Sequence, residues 1–141
     1  LFVRNFCAQV SVLFDHLRGV FLSKAVDLIL AELLDQLVMR LERTIVMGGK
    51  KKFSLFGGLQ LDQDVRQLIN FFLGLTETIP VRHKFQRLTQ VAALLSLDDV
   101  DELRDFFDQQ KWNWTHREIH GILTLRFRPD IIDREVGYLL R

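Results

Sequence analysis

One cysteine, Cys7, stands in a chain of 141 residues, so an internal disulfide is excluded and a reducing compartment is the natural setting. Its neighbours Phe6, Ala8 and Val10 point to a buried thiol acting as a small hydrophobe rather than to a reactive nucleophile. Prolines number two, Pro80 and Pro129, which leaves long stretches without an obligatory helix break. A surplus of one charge is also missing. Nineteen basic residues face 18 acidic ones, a net charge of +1 that creates no global field for nucleic acid or anionic lipid. No nucleic-acid partner is therefore expected, although a local basic patch is compatible with this balance. No apolar run reaches the roughly 18 residues needed to span a bilayer. The most tempting stretch, Val20 to Leu41, is interrupted by Lys24, Asp27, Glu32, Asp35 and Arg40.

What is abundant is apolar surface at helical spacing. Hydrophobic residues make up 48% and charged residues 26%, a mix that can bury a core and argues against general disorder. Twelve phenylalanines suit helix–helix packing. Phe2, Phe6, Val10, Leu13 and Leu17 recur at three- and four-residue intervals and predict a first helix ending near Gly19. Val26, Ile29, Leu30, Leu33, Leu34, Leu37, Leu41 and Ile45 predict a longer second helix, with a face broad enough for more than one neighbour. The run Gly48-Gly49-Lys50-Lys51-Lys52 should end it. Because the chain opens at Leu1 in the middle of a helical pattern, it is expected to be a fragment of a larger protein.

Gly57 and Gly58 are expected to act as a hinge, with Asp62 capping a third helix to Leu75 that buries Val65, Leu68, Ile69 and Phe72. Thr78 and Pro80 should open a fourth helix carrying Val81, Phe85, Leu88, Ala92 and Leu95. Asp98 should cap a short fifth helix with Val100, Leu103, Phe106 and Phe107 inside. Six acids (Asp98, Asp99, Asp101, Glu102, Asp105, Asp108) gather around it, favourably placed near a helix N-terminus. Lys111-Trp112-Asn113-Trp114 reads as a turn. Thr115 and Glu118 have the spacing of a capping box and start a helix with Ile119, Ile122 and Leu123 inward. After Arg128-Pro129-Asp130, a last helix carries Ile131, Ile132, Val136 and Leu139. The alternation from Leu123 to Phe127 is too short to predict a strand in this helical context.

Chemistry is sparse. His116 and His120 share a helix face at a spacing that can bind zinc. Glu118 is misplaced for the zinc-protease pattern, no third ligand is evident, and no metal is expected. Gly57-Gly58 lacks the Gly-Lys-Ser/Thr ending of a phosphate loop. No Ser–His–Asp or Cys–His set can be assembled, so neither a cofactor nor a catalytic role is expected. Lys50, Lys51 and Lys52 beside Phe53 and Phe56 form either a solvated loop or a contact for an acidic membrane surface, where each basic residue contributes about 1 kcal/mol. Trp112 and Trp114 are either partner anchors or the lid of a core beneath a turn. Arg87 adjoins the buried stripe of the fourth helix and needs a partner. Glu118 is one candidate, and it could equally close its own capping box.

The segments Gly57-Gly58-Leu59-Gln60-Leu61-Asp62 with Val65-Arg66, and Val81-Arg82-His83-Lys84-Phe85-Gln86-Arg87-Leu88-Thr89-Gln90, are joined by Trp114-Thr115, Glu118 and Leu125-Arg126-Phe127-Arg128. Together they resemble the C-terminal end of the conserved oligomeric Golgi complex subunit 4 family. The resemblance runs from about Gln36 to Leu140, with the first helices matching by pattern, and departs at Gly48–Leu55 and Asp105–Lys111. It implies an all-α chain: a helical-bundle rod segment of a multisubunit tethering complex subunit, ending in a small helical domain. It further implies a non-catalytic, peripheral role on the cytoplasmic face of the Golgi membrane. The implied partners are sister tethering-complex subunits, SNAREs with their regulators, and Rab GTPases. It also implies a buried Arg–Glu pair, which falls on Arg87 and Glu118. The expected organisation is bundle helices over residues 1–47, a glycine/lysine connector over 48–61 and a terminal domain over 62–141.

Overall fold

A computed structural model describes residues 2–47 and 52–141; Lys50, Lys51 and the glycines before them lie outside the described residues. The fold is all-α, with no strand among the described residues. Helix α1 (Phe2–Val20) and helix α2 (Ser23–Glu42) form an antiparallel hairpin, since Phe2, Val3 and Phe6 line the same hollow as Leu37, Leu41 and Ile45. Helix α2 continues into a π-helical turn over Arg43–Met47. On α1 the expected Phe6, Val10 and Leu17 do pack into the core, but the edge of the face is shifted. Val3, Val10 and Phe14 are buried, whereas Phe2 and Leu13 are exposed. On α2 the buried residues are Val26, Leu30, Leu34 and Val38, and Ile29 faces out.

Helix α3 spans Leu55–Leu75 and starts seven residues before the expected Asp62. Its cap is Ser54, whose hydroxyl accepts a hydrogen bond from the Gly57 amide at 3.0 Å. Gly57 and Gly58 are therefore helical, and the expected hinge is not there. A Cβ on Gly58 would sit 1.7 Å from the Leu95 carbonyl oxygen, so this glycine lets the first turns of α3 touch another helix end directly. Asp62, inside the helix, accepts a hydrogen bond from Arg66 Nε at 2.8 Å.

The predicted fourth helix is split by Phe85 (φ −90°, ψ 0°) into α4 (Val81–Lys84) and α5 (Gln86–Leu95). Thr78 does not cap it. The Thr78 hydroxyl donates to Asp27 of α2 at 3.1 Å, and Lys84 reaches Asp35 of α2 at 2.7 Å. A 3-10 turn (Val100–Glu102), α6 (Leu103–Phe106) and a second 3-10 turn (Phe107–Gln109) follow. Asp99 rather than Asp98 occupies the cap position, and its amide donates to Glu102 Oε1 at 3.1 Å. Helix α7 (His116–Leu123) and helix α8 (Pro129–Val136) complete the chain with a closing 3-10 turn, Gly137–Leu140.

Two cores result. The first lies among α1, α2, α3 and α4, with Phe14, Leu30, Leu34, Phe72 and Phe85 fully buried. The second gathers Leu94, Leu95, Leu103, Ile119, Ile122, Leu123, Ile132 and Val136. Helix α5 serves both: Leu88 and Ala92 face the first core, while Val91, Leu94 and Leu95 face the second. The change of core thus falls within α5 and not at 48–61, and α3 packs with α1 in the first core.

Candidate functional site: the junction between the two cores

The junction is organised by Arg87. The break at Phe85 starts α5 afresh and sets Arg87 beside the fully buried Leu88, at the level where the cores meet. Arg87 Nε donates to Glu42 Oε1 at 2.9 Å, and its Nη1 donates to the Asn113 carbonyl at 2.6 Å. The guanidinium carbon lies 3.8 Å from the centre of the Trp114 ring, a cation–π stack. Trp114 in turn donates from Nε1 to the Arg87 carbonyl at 3.1 Å. One side chain therefore links the end of α2, α5 and the 111–114 turn. With side-chain exposures of 39% and 19%, the Arg87–Glu42 pair is partly desolvated but not buried.

The expected Arg87–Glu118 pair is not made. Glu118 closes its own capping box: Thr115 N donates to Glu118 Oε2 at 2.8 Å, and Glu118 N donates to Thr115 Oγ1 at 3.2 Å. Glu42 takes Arg87 instead because the end of α2 lies across the junction from α5. The two residues are 45 positions apart, a separation that leaves no local pattern to read.

The turn carrying both tryptophans is held from beneath by Gln90. This buried amide donates to the Lys111 carbonyl and accepts from the Asn113 amide, both at 2.9 Å. Trp112 is half-buried, stacks on Phe107 with ring centres 5.7 Å apart, and donates from Nε1 to the Phe107 carbonyl at 2.8 Å. Trp114 is 7% exposed. Both rings are thus engaged within the chain, and neither stands out as an exposed anchor. Gln90 had no signal of its own beyond a polar residue inside an apolar stripe. Arg126 is the other residue whose role was not read. Its Nη1 donates to the Leu95 carbonyl at 2.9 Å and also contacts the Leu97 carbonyl, so it satisfies the open end of α5. Burial lowers the pKa of its guanidinium, and the carboxylates of Asp98 and Glu102 oppose that shift.

Beside Arg87 lies a groove of about 440 Å³ between the end of α2 and α7, lined by Met39, Arg43, Val46, Met47, Trp114 and Gly121 together with the charged residues already named. It offers apolar contact beside charged groups of both signs. The histidines lie elsewhere. His120 Nε2 is 2.9 Å from Asp133 Oδ1 of α8, and His116 Nδ1 is 3.4 Å from the Arg141 carbonyl. Among the described residues, no three His, Cys, Asp or Glu side chains gather into a metal-binding group. Cys7 is half-buried, and burial pushes its thiol pKa up. Lys52 is exposed, close in sequence to the outward-facing Phe56. No helix among the described residues is long and apolar enough to cross a membrane.

Residues 1–126 match the family model described as Conserved oligomeric Golgi complex subunit 4, C-terminal. The chain belongs to this family. Curated proteins named Conserved oligomeric Golgi complex subunit 4 include one from Arabidopsis thaliana, 41% identical over 122 residues, covering 82% of this chain and 16% of the relative. The Drosophila melanogaster protein is 33% identical over 141 residues (94% of this chain, 18% of the relative), and the Homo sapiens protein 35% over 137 (92% and 15%). The chain therefore spans about a sixth of the length of these relatives. The Golgi complex subunit 4 model takes in the whole Arg87 junction and ends at Arg126, the side chain that closes α5; helix α8 follows the matched stretch.

Proposed function

We propose that this chain is part of a non-catalytic subunit of a Golgi vesicle-tethering complex. In this reading it works in intra-Golgi retrograde transport as a peripheral protein on the cytoplasmic face of the membrane. Its contacts are with sister subunits, with SNAREs and their regulators, and with Rab GTPases. Membership of the Golgi complex subunit 4 family supports the reading. The observation that carries it is the apolar surface that the two cores leave uncovered on the α1–α2 hairpin. Val12 and Leu28 are 71% and 73% exposed, and Leu13 and Ile29 are exposed beside them in sequence. Apolar residues on a rigid helical frame are what a protein-contact subunit presents to its neighbours.

The test uses the full-length subunit in cells from which the endogenous copy has been removed. Wild-type protein is expected to co-purify with its sister subunits and restore retrograde transport, whereas Leu13→Glu with Leu28→Glu should lose one or both. Wild-type protein that recovers no sister subunit overturns the reading. A second reading, a membrane-surface module built on the basic Lys50, Lys51 and Lys52 stretch, is favoured by the exposure of Lys52 and of Phe56. It requires salt-sensitive binding to anionic vesicles that Lys52→Glu weakens.

A further inference from the structure

Ser54 follows a basic stretch that contains no acid. From Arg43 to Leu61 the sequence has no Asp or Glu, while Arg43, Lys50, Lys51 and Lys52 all carry positive charge. The three lysines occupy the second, third and fourth positions before the Ser54 hydroxyl. No other Ser or Thr in the chain has two adjacent Lys or Arg among the four residues before it. Kinases select substrates by such charge patterns, and an enzyme with an acidic cleft reads lysines at these positions.

The structure presents this hydroxyl outward. Lys52 to Ser54 are not helical, and Ser54 has extended backbone (φ −89°, ψ 167°). Side chains alternate along such a segment. Phe53 packs against the second core, and Lys52 and Ser54 on either side of it are exposed. A kinase has to open the hydrogen bond from the Phe53 amide to the Leu125 carbonyl, 2.7 Å long, and the first turn of α3, which Gly57 weakens.

We infer that Ser54 is a phosphorylation site for a basophilic serine/threonine kinase. In the transfer the bond from the γ-phosphorus of ATP to its bridging oxygen breaks and ADP leaves. The Ser54 Oγ–P bond forms, and the hydroxyl proton passes to the catalytic carboxylate of the kinase. The exposed hydroxyl and its basic approach select the residue; the start of α3 explains why the product is tolerated. The first turn of α3 holds no acidic residue, and the Gly57 amide already points at Ser54 Oγ, so a phosphate there adds favourable charge at the helix end. The modification brings about two negative charges and thereby cancels roughly half of the local positive charge. The inference is independent of the proposed function, because it requires no particular partner.

The test incubates the folded full-length subunit with ATP and the catalytic domain of protein kinase C, with an acidophilic kinase as the comparison. Trypsin cleavage after Lys52 and Arg66 releases residues 53–66, in which Ser54 is the only hydroxyl, so mass spectrometry assigns the phosphate without ambiguity. One phosphate is expected on this peptide with the first kinase and none with the second. Ser54→Ala should abolish it. Lys51→Glu with Lys52→Glu should lower the initial rate about tenfold, as for losing charge-assisted contacts to the kinase, while thermal unfolding matches the wild type. The same phosphopeptide is expected from the subunit recovered from cells under phosphatase inhibition. Phosphate that appears only after heat unfolding, a rate that the charge reversal leaves unchanged, or a cellular subunit without phosphate on Ser54 overturns the inference.

Discussion

Gly58→Ala should destabilise the fold, against the usual effect of this substitution in a helix. Replacing an exposed helical glycine by alanine normally gains up to about 1 kcal/mol, because alanine loses less backbone entropy on folding. At Gly58 the added Cβ would lie 1.7 Å from the Leu95 carbonyl oxygen, 2.5 Å from its carbon and 3.1 Å from the Ser96 nitrogen. Carbon–oxygen contacts relax at about 3.3–3.6 Å, so the start of α3 and the end of α5 must separate by more than about 1.5 Å. The obstacle is backbone, and the Leu95 carbonyl is also held by Arg126. Overpacking of this kind costs about 1–3 kcal/mol, and loosening the Arg126 contact adds about 1 kcal/mol. Set against the propensity gain, the net loss is about 2 kcal/mol, or roughly 6–8 °C in melting temperature for a domain of this size. Gly74, on the exposed side of the same helix, meets nothing within 4 Å and is the internal control. The assay is thermal unfolding of the 141-residue chain followed by far-ultraviolet circular dichroism. Gly74→Ala should unfold at or above the wild-type temperature and Gly58→Ala well below it. Equal or raised stability for Gly58→Ala refutes the close approach of α3 to α5.

Two further outcomes follow from the junction. In a double-mutant cycle with Arg87→Ala, Glu42→Ala should couple by about 1 kcal/mol, whereas Glu118→Ala should couple by less than about 0.3 kcal/mol and cost only its capping contribution of about 0.5–1 kcal/mol. Equal coupling to both acids would mean that Arg87 is shared between them, contrary to the geometry. Gln90→Leu keeps the volume but strands the Lys111 carbonyl and the Asn113 amide, so a loss of about 2–4 kcal/mol is expected, with faster amide exchange across 110–114; unchanged exchange there would show that the turn stands without its buried amide.

Helix type and several ends were legible in the sequence because the signals were local. The Thr115–Glu118 box, the tryptophan turn and the proline start of α8 all sit where their residue chemistry put them. Other features were degenerate. In α1 both Phe2/Leu13 and Val3/Phe14 lie on apolar stripes, so periodicity could not choose the face, and contact with α2 and α3 did. The glycine pair reads as a hinge from propensity alone, because the advantage of a glycine at 58 appears only once Leu95, 37 positions later, lies against it. Glu42 carried no signal of its own in the sequence, and only folding brings it to Arg87. Three of the features that escaped reading are long-range, a close approach, a buried amide and an ion pair between elements distant in sequence; the Ser54 cap, the break at Phe85 and the Asp99 cap are local and were passed over for competing local signals.

The same long-range contacts explain why the two cores should act as one unit. Helix α5 is three turns long and places alternate faces in different cores, so it cannot tilt to suit one without disturbing the other. Each end of it is tied separately. At the start, Arg87 binds α2 and the tryptophan turn; at the finish, the Leu95 carbonyl is pinned between Gly58 and Arg126. A hydrogen-bonded anchor at each end of a short shared helix resists rotation as well as sliding. Rigid coupling of this kind suits a part whose work is to hold a contact surface in fixed relation to the rest of the chain: the outer face of the α1–α2 hairpin stands on the first core, which cannot shift without the second. Loosening either anchor should therefore disturb the geometry between the two cores before it unfolds either.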